Sequence, residues 1–242
     1  VRLTRLRDKL ELLAAAGVDR VLCLAFNRRL RELSAAEFVN TVLVNGLGVQ
    51  HLEVGDDFRF GCDRAGDFGF LQQAGLANGF TVEEAATVQL DGLRVSSTGV
   101  RNALGVADFT LAEALLGRPF QIAGRVLQKL GRQLGAPTAN IQLKRKRVPL
   151  TGVYLVSIEL DGQVWPGAAN IGVRPSVKSD GLAHLEVHLL DYAGDLYGRH
   201  LDVTFHRKLR DEQRFASLDE LKAAIAADIA AARASWPGNH FQ

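Results

Sequence analysis

At Leu116-Gly117-Arg118-Pro119 the hydrophobic rhythm of the chain changes, and that change constrains the fold more than any other feature. Upstream, helical and strand-like patterns alternate. Leu3, Leu6, Leu10 and Leu13 fall on one helical stripe that Gly17 stops. VDRVLCLAF (18–26) reads as a mostly buried strand. Ser34-Ala-Ala-Glu37 is a capping-box pattern, opening a helix that turns Phe38, Val42 and Leu43 inward. VQHLEVG (49–55) is a second strand, and the order helix, strand, helix, strand predicts parallel strands with crossover helices. FTVEEAATVQL, Asp91-Gly92 and LRV then read as extended chain returning through a turn, and SSTGVRNAL and ADFTLAEALLG as two short helices. This gives an α/β domain over 1–117.

Downstream the period becomes two. FQIAGRVL, GVYLVSIEL, an Asp161-Gly162 turn, VWPGAANIG, HLEVHLLDY and LDVTFHRKL are short strands with frequent Gly and Asp turns, as in a closed antiparallel barrel. The tail carries Leu218, Leu221, Ile225 and Ile229 on one stripe, an amphipathic helix to pack on that barrel. The second domain spans 118–242.

Bulk properties remove several function classes. A net charge of +2 is too small and too dispersed for a dedicated nucleic-acid binder, and Lys144-Arg145-Lys146-Arg147 reads as a solvated loop. No apolar run is long enough to cross a bilayer and no signal peptide opens the chain. Cys23 and Cys62 lack metal-ligand spacing and fit thiols in a reducing compartment, so the cytoplasm is expected. The histidines show no ligand spacing either. The chain starts within a helical pattern and has no methionine, which reads as part of a longer protein.

Three clusters could carry chemistry. VGDDFRFG (54–61) follows a predicted parallel strand, at the edge where open α/β sheets bind ligands. Gly55 and Gly61 would let the backbone approach a ligand, and Phe58 and Phe60 could flank a flat ring; a strand-end turn with core phenylalanines is the competing account. In VSSTGVR (95–101), Ser96, Ser97 and Thr98 start a helix and Arg101 lies one turn on. That set suits phosphate, although one hydroxyl is also an ordinary N-cap. In GRQLGAPTANI (131–141), Thr138 and Asn140 offer hard oxygens suited to Mg²⁺, and Gly131 and Gly135 free the backbone to wrap an anion; a proline turn with a self-bonding Asn is the alternative. Glu186 sits in LEVHLLDY, where alternation puts Glu186, His188 and Leu190 on one face, and either a barrel interior or an exposed face accounts for the acid.

The ordered set GDDFRFG, VSSTGVR, LLGRPF, GRQLGAPTANI, GVYLV, ANIGVRPSV, LEVHLLDYAGDLYG and LRDEQRF resembles the prokaryotic bifunctional riboflavin kinase/FMN adenylyltransferases, over nearly the whole chain. The resemblance implies a nucleotidyltransferase-like (Rossmann-like) domain followed by a riboflavin kinase barrel. ATP with Mg²⁺, riboflavin and FMN are then the expected small-molecule partners, with flavins as substrate and product. Thr138 and Asn140 match the metal and phosphate contacts of the PTAN loop, with Gly131 and Arg132 beside it. Glu186 matches the catalytic base for the ribityl 5′-hydroxyl. Arg210, Glu212 and Phe215 match a flavin-side segment, and Arg174 is a further flavin-side candidate. Gly55, Asp57, Phe58, Phe60 and Gly61 match the flavin motif of the adenylyltransferase, and Ser96, Ser97, Thr98 and Arg101 its phosphate motif.

The chain departs from this pattern twice. It lacks the GxFDGxHxGH segment whose histidines stabilise the reacting phosphates, and GRVLQKLGR (124–132) is two residues shorter than the usual loop. Two other readings are a kinase whose α/β part is only a scaffold, and a non-catalytic flavin or nucleotide binder. A pure binder has no use for the base Glu186. The sequence carries no signal for oligomeric state.

Overall fold

The computed structural model describes residues 2–127, 138–143, 147–173 and 182–237. The chain forms two compact units, one of residues 17–94 and one joining residues 1–16 to 95–242.

In the second of these, α1 (Leu6–Ala15) matches the leucine stripe, with Leu6 and Leu10 nonetheless exposed. In the smaller unit, residues 18–26 do not form the expected strand. They have no regular hydrogen bonding, and Val18, Val21, Leu22, Leu24 and Phe26 are exposed. An apolar pattern sets which faces a strand would show, but a strand exists only when a neighbour takes up its backbone groups, and none does so among the described residues.

After the single turn α2 (Arg28–Arg31), α3 (Ala35–Phe38) begins at the predicted capping box. The Glu37 amide donates to the Ser34 hydroxyl at 3.2 Å, and the Ser34 amide donates to the Glu37 carboxylate at 2.8 Å. The helix continues in π geometry over Val39–Leu47 and stops at Gly48, whose φ of 60° is left-handed. β1 (His51–Val54) does pair in parallel, but with β2 (Thr81–Glu84) and not with residues 18–26, and the crossover is α4 (Phe68–Asn78), a helix not expected from the sequence. Phe38, Val42 and Leu43 do turn inward, joining Val39, Val54, Phe60, Leu71 and Phe80. Burying each large apolar side chain contributes about 1.5–3 kcal/mol before conformational entropy is counted. The two-residue strands β3 (Gln89–Leu90) and β4 (Leu93–Arg94) close a hairpin through Asp91 and Gly92, both at positive φ as a type I′ turn requires.

The larger unit continues with α5 (Ser97–Gly105) and α6 (Phe109–Leu116), the two short helices expected, and then closes a six-stranded barrel. Its strands are β5 (Gln121–Leu127), β6 (Ala139–Gln142), β7 (Gly152–Leu160), β8 (Gln163–Val173), β9 (Ala183–Leu189) and β10 (His200–Arg210). Their order around the barrel is β10-β5-β6-β9-β8-β7, all pairs antiparallel. Ile141, Tyr154, Val156, Ala169, Ile171, Leu185, Val187, Val203 and Phe205 fill the interior. Phe109 of α6 adds ring contacts to Tyr154 at 5.8 Å and Phe205 at 6.4 Å. Burial pushes the Tyr154 phenol up to about 12.

The helix α7 (Leu218–Ser235) packs on the outside through Ile229, Ala232 and Trp236, against Leu155, Ala168, Leu190 and Leu209. Leu218 is 66% exposed, so it does not belong to the buried stripe: it sits in the first turn, before the helix reaches the barrel. Leu190 keeps the face expected of it with Glu186 and His188, and is fully buried there because α7 covers that face just past the end of β9. No described helix is long and apolar enough to cross a membrane.

Candidate active site

The side chains of β9 alternate without a break, Ala183, Leu185, Val187 and Leu189 buried, His184, Glu186 and His188 half-buried. Glu186 is therefore on the outer face, which settles the two accounts open for it. Antiparallel register then fixes its neighbours. Asn140 on β6 and Asn170 on β8 are both directly opposite Glu186, so one carboxylate is flanked by two amides across adjacent strands. The same row runs on through Val153 of β7 to Arg210 of β10. Asn170 Oδ1 is buried and accepts no hydrogen bond among the described residues. Orphaned acceptors of this kind are uncommon away from ligand sites.

Gly172, one register step along β8 and opposite His184, shows what covers this face. A Cβ there would overlap the Glu212 carboxylate, so Glu212 lies over the same surface as His184 and Glu186. Arg210 is differently engaged. Its guanidinium makes two 2.7 Å bonds to Asp228 of α7 and lies 5.7 Å from the Phe215 ring centroid. At the start of β6, Thr138 is exposed and the Asn140 amide nitrogen donates to the Thr138 carbonyl at 3.4 Å. Gly131, Arg132 and Arg174, and most of the shortened loop, lie outside the described residues.

In the smaller unit the GDDFRFG turn is built on packing. The Phe58 amide donates to the Gly55 carbonyl at 3.0 Å. Phe58 and Phe60 stack on each other with centroids 5.6 Å apart, which corrects the expectation that they flank a ring: a third ring between them would need roughly 7 Å, two van der Waals gaps. Phe60 is buried beside Phe38 and Phe70, whereas Phe58 stays 38% exposed. Gly61 is required by fold rather than by close ligand approach: its φ is 74°, and a Cβ would stand 2.7 Å from the Ala35 amide nitrogen. Asp57 is exposed and Asp56 holds the turn, accepting from Arg94 at 2.6 Å and Thr87 at 3.1 Å. The hydrogen-bonded Arg94 guanidinium holds the Asp56 carboxyl below the usual carboxylate range.

In the phosphate motif, Ser96 is the N-cap of α5, its hydroxyl accepting from the Gly99 amide at 3.1 Å. Ser97 and Thr98 in the first turn are exposed. Ser97 and Arg101 open onto a groove whose other wall is α1, where Arg5 and Lys9 lie one turn apart. Asn170, Asp56 and these α1 cations were not singled out from sequence. Only the Arg5–Lys9 spacing was visible there, beside the leucine stripe that gave the helix. Cys23 and Cys62 are free thiols.

Known protein families match both parts of the chain. A family model described as riboflavin kinase matches residues 116–236, and one described as FAD synthetase matches residues 1–99. A bifunctional riboflavin kinase/FMN adenylyltransferase of Pseudomonas fluorescens is 78% identical over 220 residues, covering 90% of this chain and 71% of the relative. The protein of the same name from Escherichia coli K12 is 54% identical over 236 residues, covering 96% and 75%. A crystal structure from Streptococcus pneumoniae, described as a macrolide-efflux protein, superposes with a TM-score of 0.76 at 27% identity, over 97% of this chain and 76% of that one. The chain belongs to the bifunctional riboflavin kinase/FMN adenylyltransferase family.

Proposed function

We propose that the chain makes FAD in two steps, phosphorylating riboflavin with ATP on the barrel and adenylylating FMN through residues 1–117. The observation that carries the first step is the Asn140–Glu186–Asn170 row on the outer face of β6, β9 and β8. In it Glu186 takes the proton from the ribityl 5′-hydroxyl as that oxygen attacks the γ-phosphorus and the bond to the ADP oxygen breaks. A sugar alcohol is a weak nucleophile, and a half-buried carboxylate between two amides is held in place to accept its proton. Asn170 Oδ1 is placed to accept a substrate donor on the other side.

Thr138 and Asn140 fit Mg²⁺, since they bring a hydroxyl and an amide oxygen and leave most of the coordination shell to phosphates and water. When bound, the ion neutralises charge on the phosphate oxygens. Gly131 and Arg132 extend this contact to ATP, and Glu212, Phe215, Arg210 and Arg174 form the flavin side. In the second step an FMN phosphate oxygen attacks the α-phosphorus of ATP and pyrophosphate leaves. Ser96, Ser97, Thr98 and Arg101 hold the phosphates, and Gly55, Asp57, Phe58, Phe60 and Gly61 shape the flavin side, with the exposed face of Phe58 as the ring contact. The free thiols fit a cytoplasmic enzyme.

The test is a product assay with riboflavin, ATP and Mg²⁺, the flavins separated by chromatography. FMN is expected from this chain and should disappear in Glu186→Gln, with riboflavin binding retained. Unchanged FMN formation in Glu186→Gln would rule out the assigned base. Riboflavin binding without FMN in the unmodified chain would favour a non-catalytic binder.

A further inference from the structure

We infer that α1 and Arg118 complete a polyphosphate site with α5, and that Arg5, Lys9 and Arg118 bind the pyrophosphate portion of the nucleotide. The inference rests on the adenylyl-transfer reading and adds residues to it. The groove beside Ser97 and Arg101 is lined by Arg2, Arg5, Lys9, Arg101 and Arg118, and no acidic side chain lines it. Its remaining walls are mostly leucine, from α1 and from Leu116. Cations gathered along one groove repel one another. An anion in the groove turns the same arrangement into a stabilising one.

Two further observations point to a ligand. The Nη2 of Arg5 is buried and makes no hydrogen bond among the described residues, and its nearest acid, Asp8, is 3.7 Å from Nε. A buried guanidinium nitrogen without an acceptor is costly, and a phosphate oxygen would satisfy it. The N-terminus of α5 opens on the same groove through Ser97, adding first-turn N–H groups and the positive end of the helix dipole. The other acid of α1, Glu11, is taken up by Arg7 at 2.8 Å and does not line the groove. Several cations around one groove match a ligand with several negative charges, as pyrophosphate has.

Inorganic pyrophosphate is the probe, titrated calorimetrically into the unmodified chain and into Lys9→Ala, Arg118→Gln, Arg101→Ala and Asn140→Ala. Lys9 is exposed and Arg118→Gln keeps most of its stem, so both should fold. FMN formation by the barrel checks that they do. Loss of affinity by about tenfold is expected for each of Lys9→Ala and Arg118→Gln, the effect of one charge-assisted hydrogen bond. Asn140→Ala should leave this binding in place, which separates it from the kinase site. If Arg101→Ala weakens binding while Lys9→Ala and Arg118→Gln stay within twofold of the unmodified chain, the inference falls and the adenylyl-transfer reading stands. No pyrophosphate binding at all also overturns it. Binding that depends on Lys9 and Arg118 in a chain that makes no FAD would uphold the site and count against that reading.

Discussion

Gly172 and His206 show how much a single position can carry. A Cβ at Gly172 would meet the flexible end of Glu212 rather than backbone, so Gly172→Ala should displace the carboxylate and leave the strand intact. The expected result is a thermal midpoint changed by no more than about 2 °C, in line with a small stability change, together with a several-fold rise in the KM for riboflavin. A large fall in midpoint with unchanged KM would contradict it. His206 lies between the Ser157 hydroxyl, 2.8 Å away, and the Trp236 ring; its other edge is exposed, and the partial desolvation by these neighbours holds its imidazole below the ordinary value of 6.5. The unfolded chain then binds the extra proton more readily than the folded one, so this contribution is complete above 6.5 and is lost as pH falls through the lower folded value. Melting curves from pH 7.5 to 5 should fall more steeply for the unmodified chain than for His206→Gln. Neither role was legible in the sequence, because each depends on a partner 40 or more positions away.

At the scale of elements the sequence was legible wherever the determining contact is local. The Ser34–Glu37 box, the Asp91-Gly92 and Asp161-Gly162 turns and the period of two in the barrel strands all depend on neighbours within a few residues. Residues 18–26 show the converse: their pattern is that of a strand, but strand formation requires a partner from elsewhere. The tail helix was legible as amphipathic, yet its anchoring was not. Asp228 takes both arms of Arg210 at 2.7 Å in a site where the two side chains are 13% and 24% exposed. Asp228→Asn should cost about 1–3 kcal/mol in chemical denaturation, the usual effect of removing one partner of a charged hydrogen bond. Hydrogen exchange should then rise along α7 before it rises in the barrel strands; uniform exchange would mean that α7 is held by Ile229, Ala232 and Trp236 alone.

For the whole molecule, the two units have cores of their own, and this makes the two proposed activities separable. Gly61→Ala combines a positive φ with a collision against the Ala35 backbone, and should destabilise the unit of residues 17–94 by about 2–4 kcal/mol. FMN formation should survive this change while FAD formation drops; equal loss of both would show that the units fold as one. The groove beside α5 was not legible because residues 2–13, 97–101 and 116–118 meet only in the folded chain. The candidate kinase row was half legible: Asn140 and Glu186 stood out by motif, Asn170 only by register. Along β9 the even positions face the proposed chemistry and the odd positions fill the barrel. One short segment therefore carries two interleaved scripts, and evolution can edit the letters of one, toward a new substrate or a hotter habitat, while leaving the other unread.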